Sequence, residues 1–486
     1  GCRRCHKWSF ARVPIRMYFG KKKKWEPKLT VIISVVVVLF ALLLIGPYLY
    51  SRSRSVLPSL GTVPAQDIQA QLQEAQGLFD QGAVEEAEKK LKPLLGGRDP
   101  LLTPRAVMLQ AAIENGRNNG EAALQLLSKA CDDFQGSPEF PALAARKARQ
   151  FEDMERFDEA RGIYESVRDN APPELRAMGL AGLGRLAEKA GDRQAARDLY
   201  RDAADNAPWG SDLWNGVVED MGRLNVELIF SPEETAESRY YSVESGDSLI
   251  SIGMKLNTTQ GLLMTANSIT DPAKLHLGQR LKYTPKDFRI VIERSTCNLY
   301  LLDNRGLFKR YKVGLGKPGH ETTLGNYVLG NKQKDPVWFK PGAGPIEAGA
   351  EDNELGTRWM PMMPAREGLP TDLGIHGTIA PDTVGQYSSK GCARMKNEDV
   401  EELFDLVVRS TPVDVVDVYA PNSEGENSDT PDTPLSPAAP ETADTPVSPA
   451  APETADTPVS PAVPESVGAS APPSLPNPPD PPADEG

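Results

Sequence analysis

The sequence predicts a multidomain chain. In order come a single N-terminal transmembrane helix, an all-α helical-repeat solenoid, a small α+β module of βααβ order, a mainly-β domain and a disordered Pro-rich tail. Three observations predict this. An uncharged apolar run follows a block of lysines; an alanine recurs every 36 or 37 residues within helical patterns; and near residue 287 the helical spacing gives way to strand-like runs. At 486 residues the chain has room for about three domains besides anchors and tails. A net charge of −13, with no basic face interleaved with aromatics beyond the first turns, argues against a nucleic-acid binder.

Residues 1–28 are basic, with Arg3, Arg4, Lys7, Arg12, Arg16, Lys21 to Lys24 and Lys28 against the single acid Glu26. The run LTVIISVVVVLFALLLIGPYLY follows, Leu29 to Tyr50, and no charge lies between Lys28 and Arg52. About 20 apolar residues cross a bilayer, and in hydrocarbon only a helix satisfies its own backbone, so 29–51 reads as a transmembrane helix. The run is longer than a signal-peptide core and no A-x-A site follows, which favours an uncleaved anchor. The lysine side should stay in the cytoplasm. The expectation is therefore a single-pass protein of the cytoplasmic (inner) membrane, with everything after Arg52 in the periplasm or cell-wall space.

Only Cys131, Cys297 and Cys392 fall in that outer part, a poor disulfide framework that leaves room for a reactive free thiol. Cys2, Cys5 and His6 spell part of a metal motif, but in a short cytoplasmic segment expected to be unstructured.

From 64 to 228 the pattern is helical and repeats. VEEAEKKL, GEAALQLL, FDEARGIY and RQAARDLY place an alanine at 87, 123, 160 and 196, and the last two copies both end in DNAP. A small residue in mid-helix lets a neighbouring helix approach closely. The period resembles that of tetratricopeptide repeats, which implies a solenoid with a concave surface for a protein partner. A plain helical spacer from the membrane is the other reading.

Residues 239–285 begin with Tyr241 and Val243 alternating as a short strand. A turn at Gly246-Asp247-Ser248 follows, with Asp247 or Ser248 able to cap a helix. YSVESGDSL, the mid-module Asn267 and LHLGQRL together resemble a LysM module, which implies binding to the N-acetylglucosamine chains of peptidoglycan. The residues alone specify only a small α+β module with a polar groove.

Between 287 and 418 strands dominate. RIVIE and LYLLD flank a polar turn, RYKVGLG and NYVLGN continue the β character, and VDVVDVY is expected to close it with period two. The clearest helix is NEDVEELFDLVVRS, opened by Asn397 as N-cap with acids in its first turn. The tail, 421–486, repeats DTPLSPAAPETA, DTPVSPAAPETA and DTPVSPAVPESV without a lysine or arginine. It cannot bury enough surface to fold, and it reads as a solvated spacer or a solubilising extension.

Candidate chemistry lies in HGTIAPDTVGQYSSKGCARM, where His376 and Cys392 are sixteen residues apart, each beside a glycine. A thiol is mostly protonated at neutral pH, and an oriented imidazole can take its proton. An acyl intermediate needs backbone N–H donors for its oxyanion, and Gly377 and Gly391 permit the close approaches this requires. Arg394 offers a forked donor for a substrate carboxylate. His320 and His276 have no such setting.

HGT followed by S-K-G-C-A-R-M resembles the active-site signature of the L,D-transpeptidases (the YkuD domain family). GLGKPGHETTLGNYVL and LGTRWMPM are similar to that family's upstream segments. Lys390 stands where histidine is frequent, and Thr323 where proline is usual. The resemblance implies Cys392 as nucleophile, His376 as base, the carbonyl of Gly377 orienting the ring, and the N–H groups of Gly391 and Cys392 as oxyanion donors. Arg394, Ser389, Lys390 and Trp338 would bind substrate, with Lys390 able to lower the thiol pKa. It also implies a 3→3 cross-link between peptidoglycan stems, with release of D-alanine and with neither cofactor nor metal. Transfer to water or to a lipoprotein lysine remains open, and a non-catalytic wall adaptor is a further alternative. The glycine- and proline-rich segment 331–356 is either a lid over the cleft or a surface insertion.

Overall fold

The computed structural model describes residues 65–340, 342 and 344–419. The basic segment, the expected membrane span 29–51 and the tail lie outside them. Among the described residues no helix is long and apolar enough to cross a membrane. The chain divides at Ile113 and Glu114 into two compact units.

In the first unit α1 (Ala65–Asp80) and α2 (Val84–Leu91) close a small core from Ala75, Ala87, Leu91 and Leu94, joined by Ala106, Leu109 and Ile113 of α3 (Leu102–Gly116). The second unit continues with α4 (Gly120–Asp133), α5 (Phe140–Asp153), α6 (Phe157–Asn170), α7 (Pro173–Lys189), α8 (Arg193–Asn206) and α9 (Asp212–Phe230). The expected alanines 87, 123, 160 and 196 sit in α2, α4, α6 and α8, and each is 0% exposed. Four residues later Leu91, Leu127, Tyr164 and Tyr200 are also buried, one turn along the same helix face.

The four copies share a turn that composition concealed. Five residues before each alanine the backbone enters the left-handed region, at Gly82, Asn118, Glu155 and Gly191. The following N–H reaches back five residues in every copy: Ala83 to Leu78, Asn119 to Glu114, Arg156 to Phe151 and Asp192 to Ala187. This satisfies a carbonyl at each helix end, and only two copies use the glycine that the geometry favours. Between α6 and α7 a glycine is required for another reason. A Cβ on Gly182 would stand 2.4 Å from the Tyr164 ring. That ring's hydroxyl donates to Glu152, which also pairs with Arg185.

β1 (Arg239–Ser242), α10 (Leu249–Lys255), α11 (Gln260–Ala266) and β2 (Arg280–Tyr283) form the βααβ module, with β1 and β2 antiparallel. Ser248 is the cap of α10, in a reciprocal bond with Ser251. Asp247 instead accepts from Tyr241, Lys255 and the Glu244 N–H. Asn267 is structural: it donates to the Leu263 and Lys282 carbonyls and accepts from the Lys282 N–H.

The last domain is built on a nine-stranded sheet. Its strands are β3 (Arg289–Glu293), β4 (Asn298–Asp303), β5 (Gly306–Lys312), β7 (Gly325–Leu329), β8 (Gln333–Lys334), β11 (Arg358–Pro364), β12 (Gly374–His376), β14 (Ala393–Arg394) and β15 (Pro412–Val416). The order is β14-β12-β11-β7-β15-β3-β4-β5, with β8 beside β11. Two small pairs flank it: β6 (Leu315–Gly316) with β13 (Tyr387–Ser389), and β9 (Trp338–Lys340) with β10 (Gly344–Ile346).

Both faces of the sheet are covered, which explains a failed expectation. VDVVDVY does not alternate, because Val413, Asp414 and Val415 of the central β15 are all buried. Ile290, Ile292, Leu299 and Leu301 face one core with Val400, Leu403 and Leu406 of α12 (Asn397–Leu406). Val291, Tyr300 and Leu302 face the other, packed by Trp214 and Val218 of α9. Ile229 of α9 and Leu262 of α11 join the first core, so α9, the βααβ module and the sheet share apolar interior. Lys282, buried, donates to the Leu228 and Ser231 carbonyls, and Thr259 to that of Asp405.

A Glu155→Gly change relieves a side chain held at φ 59° without touching a buried group. Its expected effect is a gain of about 1 kcal/mol, since left-handed backbone costs an L-residue roughly that much. Urea unfolding of the two proteins checks it; an unchanged or lower midpoint at equal slope contradicts it.

Candidate active site

The site forms at the β14 edge of the sheet. β12 and β14 run parallel, with Ile375 opposite Ala393 and His376 opposite Arg394. The Met395 N–H donates to the His376 carbonyl and extends the ladder by one bond. Cys392 enters this edge from the loop after β13. Sixteen residues of separation thus collapse to neighbouring strands.

Each part of the loop has a local cause. Gly391 adopts φ 120°, where a side chain is strained, and a Cβ there would stand 3.0 Å from Leu373. Ser389, almost fully buried, donates to the Cys392 carbonyl at 2.7 Å and accepts from the Gly391 N–H at 3.1 Å. It shapes the turn from within, so the expected direct contact with substrate does not suit it. Gly391, expected as an oxyanion donor, already spends its N–H on that hydroxyl. Lys390 is exposed.

His376 is buried, and its Nδ1 lies 2.6 Å from the Gly377 carbonyl. A carbonyl only accepts, so Nδ1 carries the proton and Nε2 is left as the basic nitrogen. Trp359, opposite His376 on β11, has its ring 5.8 Å away, centroid to centroid, tilted by 44°. Trp338, the aromatic expected to bind substrate, lies on the β9–β10 pair across from Ile346, with Lys340 over its ring. The sequence held both tryptophans in similar settings, and only the register separates them.

Asn397 corrects another expectation. The N-cap of α12 is Lys396, and Asn397 is the first helical residue. Its Oδ1 accepts the N–H groups of Thr357 at 3.3 Å and Thr378 at 3.2 Å. It thereby joins the start of β11 to the chain leaving His376. The space is tight enough that Cβ atoms on Gly356 or Gly377 would lie 2.3 and 2.2 Å from that oxygen.

Segment 331–356 reaches the site at its far end. Asn353, buried, donates to the Pro336 and Glu347 carbonyls and fixes that turn. Glu354 then pairs with Arg394, Oε2 to Nη2 at 3.1 Å, and the Glu354 and Leu355 carbonyls face the His376 ring.

Electrostatics keep both reactive groups neutral. Burial pushes the Cys392 thiol up to about 11, outweighing the Gly374 backbone and Arg394, which pull it down. Burial and then the Arg394 charge lower His376 to about 4, against the carbonyls that favour its charged form. The resting pair is thiol and imidazole, with the sulfur 3.7 Å from the Asp372 carbonyl. The cation whose charge favours the thiolate here is Arg394, whereas the sequence expectation names Lys390.

Residues 287–415 match the L,D-transpeptidase catalytic domain model of the YkuD family. YkuD of Bacillus licheniformis, named as an L,D-transpeptidase, is 29% identical over 181 residues, 36% of this chain and 97% of that protein. YkuD of Bacillus subtilis is 31% identical over 183 residues, again 36% and 97%. The chain belongs to the L,D-transpeptidase family. YqjB of Bacillus subtilis, also named as an L,D-transpeptidase, is 32% identical over 136 residues, covering 27% of this chain and 73% of its own. Residues 241–284 match the LysM domain model. The protein is thus an L,D-transpeptidase carrying a LysM domain behind a helical region.

Two measurements follow. A native imidazole that resists protonation loses stability as pH falls from about 6.5, where the unfolded histidine titrates, to about 4. Between pH 7 and 4.5 the wild type should lose about 2–3 kcal/mol more than His376→Gln in urea unfolding, by the usual 1.36 kcal/mol per pKa unit. Equal losses would show that His376 is not the group responsible. Asn397→Ala removes both backbone anchors beside His376. Because sub-ångström placement governs such steps, acylation of Cys392 should slow by about tenfold or more while KM changes little; a normal rate constant would rule out a positioning role.

Proposed function

We propose that the protein is a peptidoglycan L,D-transpeptidase that forms 3→3 cross-links through a thioester on Cys392, contributing to cell-wall biogenesis and cell shape. The observation that carries the reading is the parallel β12–β14 pairing, which sets His376 and the Cys392 loop side by side with Nδ1 of His376 on the Gly377 carbonyl.

In this reading a donor tetrapeptide stem lays the carbonyl of its third residue, a diamino acid, against the sulfur. Nε2 of His376 removes the thiol proton as the C–S bond forms, so a free thiolate need not accumulate. That suits a thiol held high and an imidazole held neutral. The oxyanion takes the Cys392 N–H, and that of Gly391 once it leaves Ser389. The C–N bond to D-alanine breaks, and His376 returns the proton to the departing amine. The side-chain amine of a second stem then attacks the thioester, its proton passes to His376, and the thiol is restored. Arg394 binds a donor carboxylate, and Ser389 and Asn397 position the groups.

The same reading places the glycan chains at the LysM module, and a membrane anchor at Leu29 to Tyr50. The helical region serves as a tetratricopeptide-like arm, and the buried alanines at 87, 123, 160 and 196 support that assignment.

Intact-protein mass spectrometry after incubation with purified tetrapeptide stems tests the chemistry. A thioester adduct on Cys392 together with 3→3 dimers supports the proposal. Tripeptide without dimers would replace it with a carboxypeptidase. Cys392→Ala should give neither adduct nor dimer, and His376→Ala should acylate roughly 10² to 10⁴ times more slowly. An unchanged rate in the histidine variant would assign the base elsewhere.

A further inference from the structure

Arg394 is a forked cation one residue beyond Ala393, with 17% of its side chain exposed. Its Nε is buried and has no hydrogen-bond acceptor among the described residues. Its carboxylate partner, Glu354, is 46% exposed and comes from the far end of segment 331–356. A guanidinium with one face unused and the other on a half-exposed glutamate is not a finished structural ion pair. Such a pair contributes little to stability, and an incoming anion can exchange for the glutamate at small cost. Arg394 also lies directly across the ladder from His376, and only Ala393 separates it from Cys392. A carboxylate one residue beyond a carbonyl held at the sulfur is therefore within its reach.

We propose that Glu354 is an internal stand-in for the substrate carboxylate. In the free enzyme it occupies Arg394. A donor peptide with a free α-carboxylate one residue past the scissile bond displaces it and takes its place on the guanidinium. Glu354 is thus a specificity-determining residue: peptides ending one residue past the scissile bond compete for Arg394, while amidated or longer ones do not. This inference rests on the peptide-acylating reading of Cys392.

The test uses Glu354→Gln and Glu354→Ala in the full chain, with a tetrapeptide stem bearing a C-terminal carboxylate and the same peptide as its C-terminal amide. Removing the competing charge should lower KM for the carboxylate peptide about two- to fivefold, the scale of an exposed ion pair, with kcat within twofold. KM for the amide should not move. Glu354→Asp, which retains the charge, should stay close to the wild type. A raised KM or a fall in kcat with both peptides would mean that Glu354 merely props Arg394 in place, and would overturn the proposal. An equal gain on the amide would overturn it too. Acylation of the wild type by the carboxylate peptide is scored separately by mass; its absence would instead strike the reading of Cys392.

Discussion

A parallel ladder only two residue pairs long carries the chemistry of this protein. It sets His376 against Arg394 and brings Cys392 to the same edge, although the chain between them makes a loop, a 3₁₀ turn (Pro381–Thr383) and a strand on another pair. The ladder begins one residue after Cys392, and Gly391 at φ 120° turns the backbone just before the sulfur. Around it, the Gly314–Arg394 bridge, the Met395 N–H on the His376 carbonyl and Asn397 supply the rigidity that two pairs cannot.

Burial at this edge works against charge. The imidazole shares a dry neighbourhood with a guanidinium, so a second positive charge is disfavoured there. The thiol, though partly exposed, also resists becoming an anion. Beside this pair Arg394 Nε is buried and has no acceptor among the described residues. A buried polar atom left unsatisfied costs about 1–3 kcal/mol.

Much of this was legible in the sequence. The histidine, the cysteine and their glycines stand out because their chemistry restricts residue type, and the repeating alanines because close helix packing does the same. What escaped depended on register or on distance in space. Asn397 looked like a helix cap, since asparagine before an acidic turn usually is one, yet its side chain turns toward strands that sequence alone does not bring near. Trp338 and Trp359 are alike until pairing shows which one lies against the ring. Glu354 had no distinguishing neighbour at all. The turns at Asn118 and Glu155 escaped because their residues are not the glycine that such backbone favours. The burial of three successive residues of β15 followed from helices covering both faces, which a strand cannot announce by itself.

The shared interior has a consequence for where the enzyme can be cut. The family match begins at residue 287, but the apolar surfaces of Val291, Tyr300 and Leu302 are closed by Trp214 and Val218, all more than seventy residues upstream, and Ile229 and Leu262 fill the opposite side. Asn225 donates to the Phe308 carbonyl from the same helix. A fragment trimmed to the matched region would carry every catalytic group and still present two bare greasy flanks to water. The unit of ancestry and the unit of folding differ here, and α9 belongs to the second.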